Sequence, residues 1–329
     1  MCCDVCLNLA DYLSMADTNC IICGRTMEFA EHVNSKIHVV PRGKTFVSLT
    51  PIYRFEWISR YGYVGVNILD TDVIVDGMNE VGLSCGLLAI DDTKYPNVTG
   101  ISISILDVCS WILGLSSTAF EAIDLLRQVQ IYGAPVPNLN RIIGAHIVIH
   151  DPKQSTALSG QMPKGFNFVC EIYEFDIKFY CTNGIVTNGP HFPSHMSILD
   201  SYYKTPDLII GKHEDHSSIM RFIKLSEFKR MCLPETYNNT GLLNLLCHMF
   251  NSVDIIRGVS ISDGDNGPLL TATQWCLFKD ITSKIIYYRS YNNLTLRSIN
   301  LNNLDFSGST TYSEISICDL SPLIVNINP

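Results

Sequence analysis

The stretch Cys20-Ile21-Ile22-Cys23-Gly24-Arg25-Thr26-Met27-Glu28-Phe29 decides how this chain is read, and it does so together with the opening Met1-Cys2. The first half is an apolar run of strand character, and the second half closes that strand with an arginine and a glutamate. Alone, residues 24–29 would be a strand end with a surface salt bridge. Met1-Cys2 changes the reading. Cysteine is small enough for an initiator methionine ahead of it to be trimmed, so Met1 is expected to be removed. One residue would then hold a thiol of pKa about 8.5 and an α-amine of about 7.7–8.0. An N-terminal amine is a recognised base for a nucleophile of this kind.

The bulk composition narrows the function classes. In a chain of 329 residues, 47% are hydrophobic and 17% charged, which suits a well-filled core. The formal charge of −9 and the lack of any Lys/Arg run count against a nucleic-acid partner. No apolar stretch reaches bilayer length, and the first twenty residues lack the basic start and apolar run of a secretory signal. The expectation is a cytoplasmic protein with no membrane partner. Its thirteen cysteines are then free thiols acting as small hydrophobes. Core filling is the default for Cys85, Cys109, Cys170, Cys181, Cys232, Cys247, Cys276 and Cys318.

Periodicity places strands at Val5, Leu7 and Leu9, then, after a polar loop, at the run from Cys20, and next at residues 63–69, 71–76 and 83–88. Pro41-Arg42-Gly43 marks a turn, and Met78-Asn79-Glu80 reads as another. Leu106, Cys109, Trp111, Ile112 and Leu115 share one helical face. Ser117-Thr118 caps a second helix over residues 119–129, with Phe120, Ile123 and Leu126 three apart. Residues 145–151 and 166–177 return to strand alternation. An irregular stretch rich in Pro, His and Ser precedes helices at 217–231 and 241–250. Strands follow at 272–278, 284–290 and 296–301. Strand clusters followed by helix pairs, twice over, predict an α+β layered fold rather than a parallel βαβ series, and the absence of a linker predicts one domain over residues 1–329.

Two metal readings compete. Cys3-x-x-Cys6 and Cys20-x-x-Cys23 together form a pattern that elsewhere binds structural zinc. Strand geometry argues against this, because residues i and i+3 of a strand point to opposite faces and neither pair brackets a turn former. His146 and His150 share a strand face, yet no carboxylate or third ligand lies near them in sequence, so an ordinary sheet face is the expectation. His191 and His195 are expected to be loop residues lining a cleft.

Five segments, in order, carry a resemblance. Met1-Cys2 with Gly24-Arg25-Thr26-Met27-Glu28-Phe29 and Pro41-Arg42-Gly43 comes first. Asp76-Gly77-Met78-Asn79-Glu80-Val81-Gly82-Leu83, Val186-Thr187-Asn188-Gly189-Pro190 and Ser217-Ser218-Ile219-Met220-Arg221-Phe222 follow. Thr273-Gln274-Trp275 with Tyr287-Tyr288-Arg289-Ser290-Tyr291 closes the series. Together they resemble the choloylglycine hydrolase family, the bile salt hydrolases and penicillin V acylases among the N-terminal nucleophile hydrolases. The resemblance implies an α+β, four-layer αββα sandwich. It also implies hydrolysis of the linear carboxamide of a small-molecule N-acyl compound, with no metal or organic cofactor. Conjugated bile salts, penicillin V, N-acyl homoserine lactones and fatty acyl amides all stay open as substrates.

Carried over by position, the resemblance implies Cys2 as nucleophile, with Arg25 favouring its thiolate. Glu28 would hold the terminal amine, and Arg221 would balance charge near the sulfur. Asn188 and the backbone N–H of Ala89 would be oxyanion donors, with Met27 and Ala89 against the substrate. Ala89 stands where bile salt hydrolases carry Asn and penicillin V acylases an aromatic residue, so bile salt hydrolysis specifically gains no support. The loop between Cys2 and Arg25 is longer than in bile salt hydrolases, which leaves Cys3 and Cys6 as rival termini. The shorter stretch between Asn188 and Arg221 speaks against a tetramer while leaving a homo-oligomer open. A silent acyl-ligand binder is the other alternative, disfavoured because Cys2, both arginines, the acidic residue and Asn188 are all present.

Overall fold

The computed structural model describes residues 2–12, 20–152, 166–174, 176–205, 216–264 and 267–318. The expected removal of Met1, most of the loop after Cys2–Asn8 and part of the stretch between Asn188 and Arg221 lie outside them.

The opening strand Cys2–Asn8 is buried at every position, so it must be covered on both faces. It lies inside a sheet ordered Ile185–Thr187, Cys2–Asn8, Ile21–Phe29, Gly267–Asp280, Ile285–Ser290 and Asn293–Asn300, with Ser260–Gly264 paired onto the long strand. A second sheet runs Asp176–Cys181, Phe166–Tyr173, Ala145–Asp151, Ser84–Ala89, Ile74–Asn79, Tyr63–Asn67, Lys36–Val40 and Ile315–Ser316. Neighbouring strands along both orders are antiparallel. Helices α1 (Ile105–Leu115) and α2 (Ala119–Leu126) cover the second sheet. Helices α4 (Ser218–Met231) and α5 (Asn239–Asn251) cover the first, and α3 (Phe192–Lys204) packs on α4. The layers are therefore helix, sheet, sheet, helix, the αββα sandwich that the family resemblance implied.

Local chemistry explains the elements. Ser104, Thr118, Ser217 and Asn238 cap α1, α2, α4 and α5 by accepting a backbone N–H with their side-chain oxygens. At α2 the Glu121 carboxylate returns the favour to the Ser117 N–H at 2.7 Å. Gly24 lets α5 approach the first sheet: a Cβ there would meet Phe250 at 2.8 Å and the Leu277 carbonyl at 2.9 Å.

Several boundaries differ from the sequence reading. The Tyr63 strand stops at Asn67, because Leu69 and Asp70 take positive φ (58° and 52°). Met78 and Asn79 belong to the strand, and the turn comes later, where Gly82 has φ 95° and donates to the Asn79 carbonyl. The run over residues 166–177 is two strands, Phe166–Tyr173 and Asp176–Cys181, paired as a hairpin. The stretch read as irregular contains α3, whose Pro193 sits in the first turn where proline costs no hydrogen bond. Helix α2 ends at Leu126, with Phe120 exposed rather than on the buried face.

The space between the sheets holds charge. Lys279 of the first sheet is ion-paired to Asp76 of the second, and Arg25 Nη1 stands 3.6 Å from the other oxygen of Asp76. Asp4 of the first sheet accepts from His150 Nε2 of the second at 2.7 Å, and His150 Nδ1 lies 2.8 Å from Asn167 Oδ1. Burial works against a charge on His150, but the Asp4 carboxylate and Cys23 outweigh it and raise the imidazole to about 9. In NMR titration the His150 ring should therefore stay charged through neutrality. Asp4→Asn should lower its midpoint by about two units. A raised imidazole contributes stability below its unfolded value of about 6.5 that is lost as pH climbs through 9. The unfolding penalty of Asp4→Asn, measured in urea, should accordingly be greater at pH 6 than above pH 9.

Candidate active site

Strand pairing sets Cys2 opposite Met27, Cys3 opposite Thr26 and Asp4 opposite Arg25. Alternation then sorts the residues by face. Cys2, Asp4, Arg25 and Met27 look toward the second sheet, while Cys3, Thr26 and Glu28 look toward α4 and α5.

On the inter-sheet face, Arg25 Nη2 donates to Cys2 Sγ at 3.5 Å, and its Nη1 donates to the Val75 carbonyl. Burial opposes the guanidinium charge, but Cys2 and Asp76 raise Arg25 above its ordinary value. Met27 Sδ lies 3.9 Å from the Cys2 sulfur. The sulfur opens onto a cleft lined by Met27, Phe29, Ile68, Val75, Leu87 and Ala89 among other apolar residues. Arg25 is the one charged side chain in that lining among the described residues.

Asn188 follows the short strand Ile185–Thr187, which pairs with the start of Cys2–Asn8. Its Oδ1 accepts from the Cys2 nitrogen, and its Nδ2 donates to the Ala89 carbonyl at 2.5 Å. Ala89 closes Ser84–Ala89 on the second sheet, so Asn188 bridges the two sheets beside the sulfur.

The other face holds a supporting row. Glu28 is fully buried and accepts from Thr26 Oγ1 (2.9 Å) and Thr273 Oγ1 (2.8 Å). Arg221 of α4 stands 3.4 Å from Glu28, donates to Cys3 Sγ at 2.9 Å and reaches Asn188 Oδ1 at 3.5 Å. The structure thus brings all the sequence-predicted site residues together, but in two rows. Cys2, Arg25, Met27 and Ala89 line the cleft, Asn188 joins the rows, and Glu28 and Arg221 lie behind the strand.

The rival thiols are placed differently. Burial pushes Cys3 up to about 12 against the pull of Arg221. Cys6 faces Cys23 across the strand pair, and its bond to Cys23 followed by burial raises it well above the ordinary thiol. Neither lines the cleft over Cys2. Of the four cysteines in the zinc pattern, Cys3 is thus turned to Arg221 while Cys6 and Cys23 face each other, and among the described residues no group of three or more His, Cys, Asp or Glu is arranged to hold a metal.

Sequence reasoning missed the carboxylates that serve the histidines, because they are distant along the chain: Asp4 for His150 from the other sheet, and Glu171 for His146 from the paired strand at 3.1 Å. His195 is not a loop residue. It is buried within α3, lies 3.2 Å from Thr187 Oγ1, and is lowered to about 4 by burial and the neighbouring His146. His191 is the N-cap residue of α3 and is not in the cleft lining. Lys279 gave no sequence signal beyond a charge in an apolar strand, which is itself a flag for a buried partner.

Comparison with known proteins fits this geometry. Residues 12–313 match the family described as linear amide C–N hydrolases, choloylglycine hydrolase family. A bile salt hydrolase/transferase of Clostridium perfringens is 23% identical over 317 residues, covering 88% of this chain and 92% of the relative. The solved structure of the C2A mutant of conjugated bile acid hydrolase from Clostridium perfringens superposes with a TM-score of 0.79 at 20% identity, over 100% of both chains. Penicillin V acylase from Agrobacterium tumefaciens gives a TM-score of 0.75 at 18% identity, over 94% of this chain and 89% of that one. The described residues contain no helix long and apolar enough to cross a membrane. With a family match across most of its length and the sandwich fold of two solved relatives, the chain belongs to the choloylglycine hydrolase family of linear amide C–N hydrolases.

Proposed function

We propose that this enzyme hydrolyses the linear amide of an N-acyl compound, with Cys2 as the N-terminal nucleophile once Met1 has been removed. One observation carries the reading: the Cys2 sulfur opens onto an apolar cleft with Arg25 at 3.5 Å and Asn188 bound to the Cys2 nitrogen.

The acyl group lies in the cleft. The sulfur attacks the carbonyl carbon and the α-amine of Cys2 takes the thiol proton. Collapse of the tetrahedral intermediate breaks the C–N bond, and the leaving amine departs with that proton. Water then attacks the thioester, releasing the carboxylic acid and restoring the thiol. The developing oxyanion is met by Asn188 and by the Ala89 backbone N–H. One Asn188 N–H is held by the Ala89 carbonyl, and the second is the donor assigned to the oxyanion. Arg25 places its guanidinium 3.5 Å from the attacking sulfur. Glu28 and Arg221 hold the rear of the site, Arg221 by its reach to Asn188 Oδ1.

The lining also bears on substrate class. With Arg25 alone contributing charge among the described lining residues, the cleft suits an uncharged, apolar acyl group, a fatty acyl chain above all. Polar or charged character in the substrate then belongs to its amine part. No cofactor enters the scheme.

Intact-mass measurement of active enzyme should find Met1 absent, and Cys2→Ala should abolish amine release from octanoyl amides while the thermal melt is kept. Turnover retained by the alanine variant would end the nucleophile assignment. Asn188→Ala should lower kcat by about 100- to 1,000-fold, the usual loss for one oxyanion donor. Among octanoyl-glycine, penicillin V and glycocholate, amine release should be fastest from octanoyl-glycine.

A further inference from the structure

Glu171 is a buried carboxylate that no step above uses, yet it sits at the centre of a cluster ending on Asn188. It lies on Phe166–Tyr173, one position beyond the Cys170–Ile147 pair and so beside His146 of the neighbouring strand. Its Oε1 accepts the Phe192 N–H, an amide of the first turn of α3, at 2.6 Å, and stands 3.1 Å from His146 Nδ1. Its Oε2 accepts from the Tyr173 hydroxyl at 2.9 Å and stands 3.0 Å from His191 Nδ1. Both imidazole nitrogens are at ion-pair distance without the alignment of a good hydrogen bond. On the far side of its ring, His146 Nε2 lies 3.4 Å from the backbone carbonyl of Asn188.

A carboxylate is placed this deep (1% exposed) only at a cost, which its partners must offset. Burial opposes its ionisation, but His146, the Phe192 N–H and Tyr173 hold it below the usual carboxylate range. The helix also needs it. His191, the N-cap residue of α3, makes no side-chain capping bond, and a negative charge at a helix N-terminus is favourable. One carboxylate therefore grips the five-residue segment 188–192 at both ends, through His146 at Asn188 and directly at His191 and Phe192. That segment is what carries the Asn188 carboxamide to its place between the Cys2 nitrogen and the Ala89 carbonyl.

We propose that Glu171 is a positioning residue for this reaction: it clamps residues 188–192, through His146 and the start of α3, and so aims the Asn188 carboxamide at the oxyanion. The proposal rests on the reading of Asn188 as an oxyanion donor. A misplacement near 1 Å in such a site costs on the order of 100-fold in rate.

The test compares two reactions of the Cys2 sulfur. p-Nitrophenyl octanoate acylates it through a tetrahedral oxyanion, expelling p-nitrophenolate; iodoacetamide alkylates it by direct displacement of iodide, with no oxyanion. Glu171→Gln should slow acylation about tenfold or more while alkylation stays within about twofold. In an Asn188→Ala background the same substitution should change acylation by less than about twofold, since the group it aims is gone. Acylation unchanged by Glu171→Gln, parallel loss in both reactions, or an equal fold-loss in the Asn188→Ala background would each overturn the proposal. Acylation of Asn188→Ala at the wild-type rate would instead remove the oxyanion reading itself. His146→Asn, which leaves the Glu171 contact with α3 in place, carries the same comparison if Glu171→Gln does not fold.

Discussion

Paired charge buried between two sheets is the constraint to which the rest of this structure answers. Lys279, Asp76, Arg25, Asp4 and His150 are all removed from water. Effective penalties for burying one ion run to several kcal/mol unless a partner and hydrogen bonds offset them. Each partner comes from the opposite sheet: Asp76 for Lys279 and Arg25, and His150 for Asp4. The sheets therefore have one relative placement in which the charges are all answered, and a slip of either would strand an ion. Because Arg25 is both a member of this layer and the neighbour of the Cys2 sulfur, the same ties that dock the sheets also set the surroundings of that sulfur. Lys279 shares Asp76 with Arg25, whose Nη2 faces the sulfur.

The fold was legible where burial follows period and where caps are local. The capping residue Thr118 lies in the dipeptide that the sequence marks as a helix cap, Ser217 opens the range read as the next helix, and each helix pair read after a strand cluster covers one of the two sheets. It was not legible where backbone geometry overrides pattern. Leu69 continues an apolar run but turns it with a left-handed φ, and Pro193 reads as a breaker although a first helical turn accepts it. Nor does apolar alternation reveal where one strand folds back on itself, as between Tyr173 and Asp176.

The site was legible as residue types in order, through the family resemblance, and less so as geometry. Cys2, Arg25, Glu28, Asn188 and Arg221 do converge, yet the division into a cleft row and a rear row follows from strand alternation once the register is known. The polar partners of His146 and His150 were invisible because sequence distance hides cross-sheet and cross-strand neighbours. Asp4 lies 146 positions from His150 and Glu171 lies 25 positions from His146, and only folding makes them adjacent. Buried histidines were thus discounted for lack of an acid that the chain supplies from elsewhere.

The alternation of the first strand carries one more implication, for maturation. Even-numbered positions there look toward the second sheet, where Cys2 meets the cleft, and odd-numbered ones toward the helices. A peptidase that overran by a single residue would create a terminus of the same chemical type, a cysteine, but with its side chain turned to Arg221 and away from any substrate. In the proposed maturation, parity would count as much as chemistry, and a second cysteine directly behind the first would offer no spare.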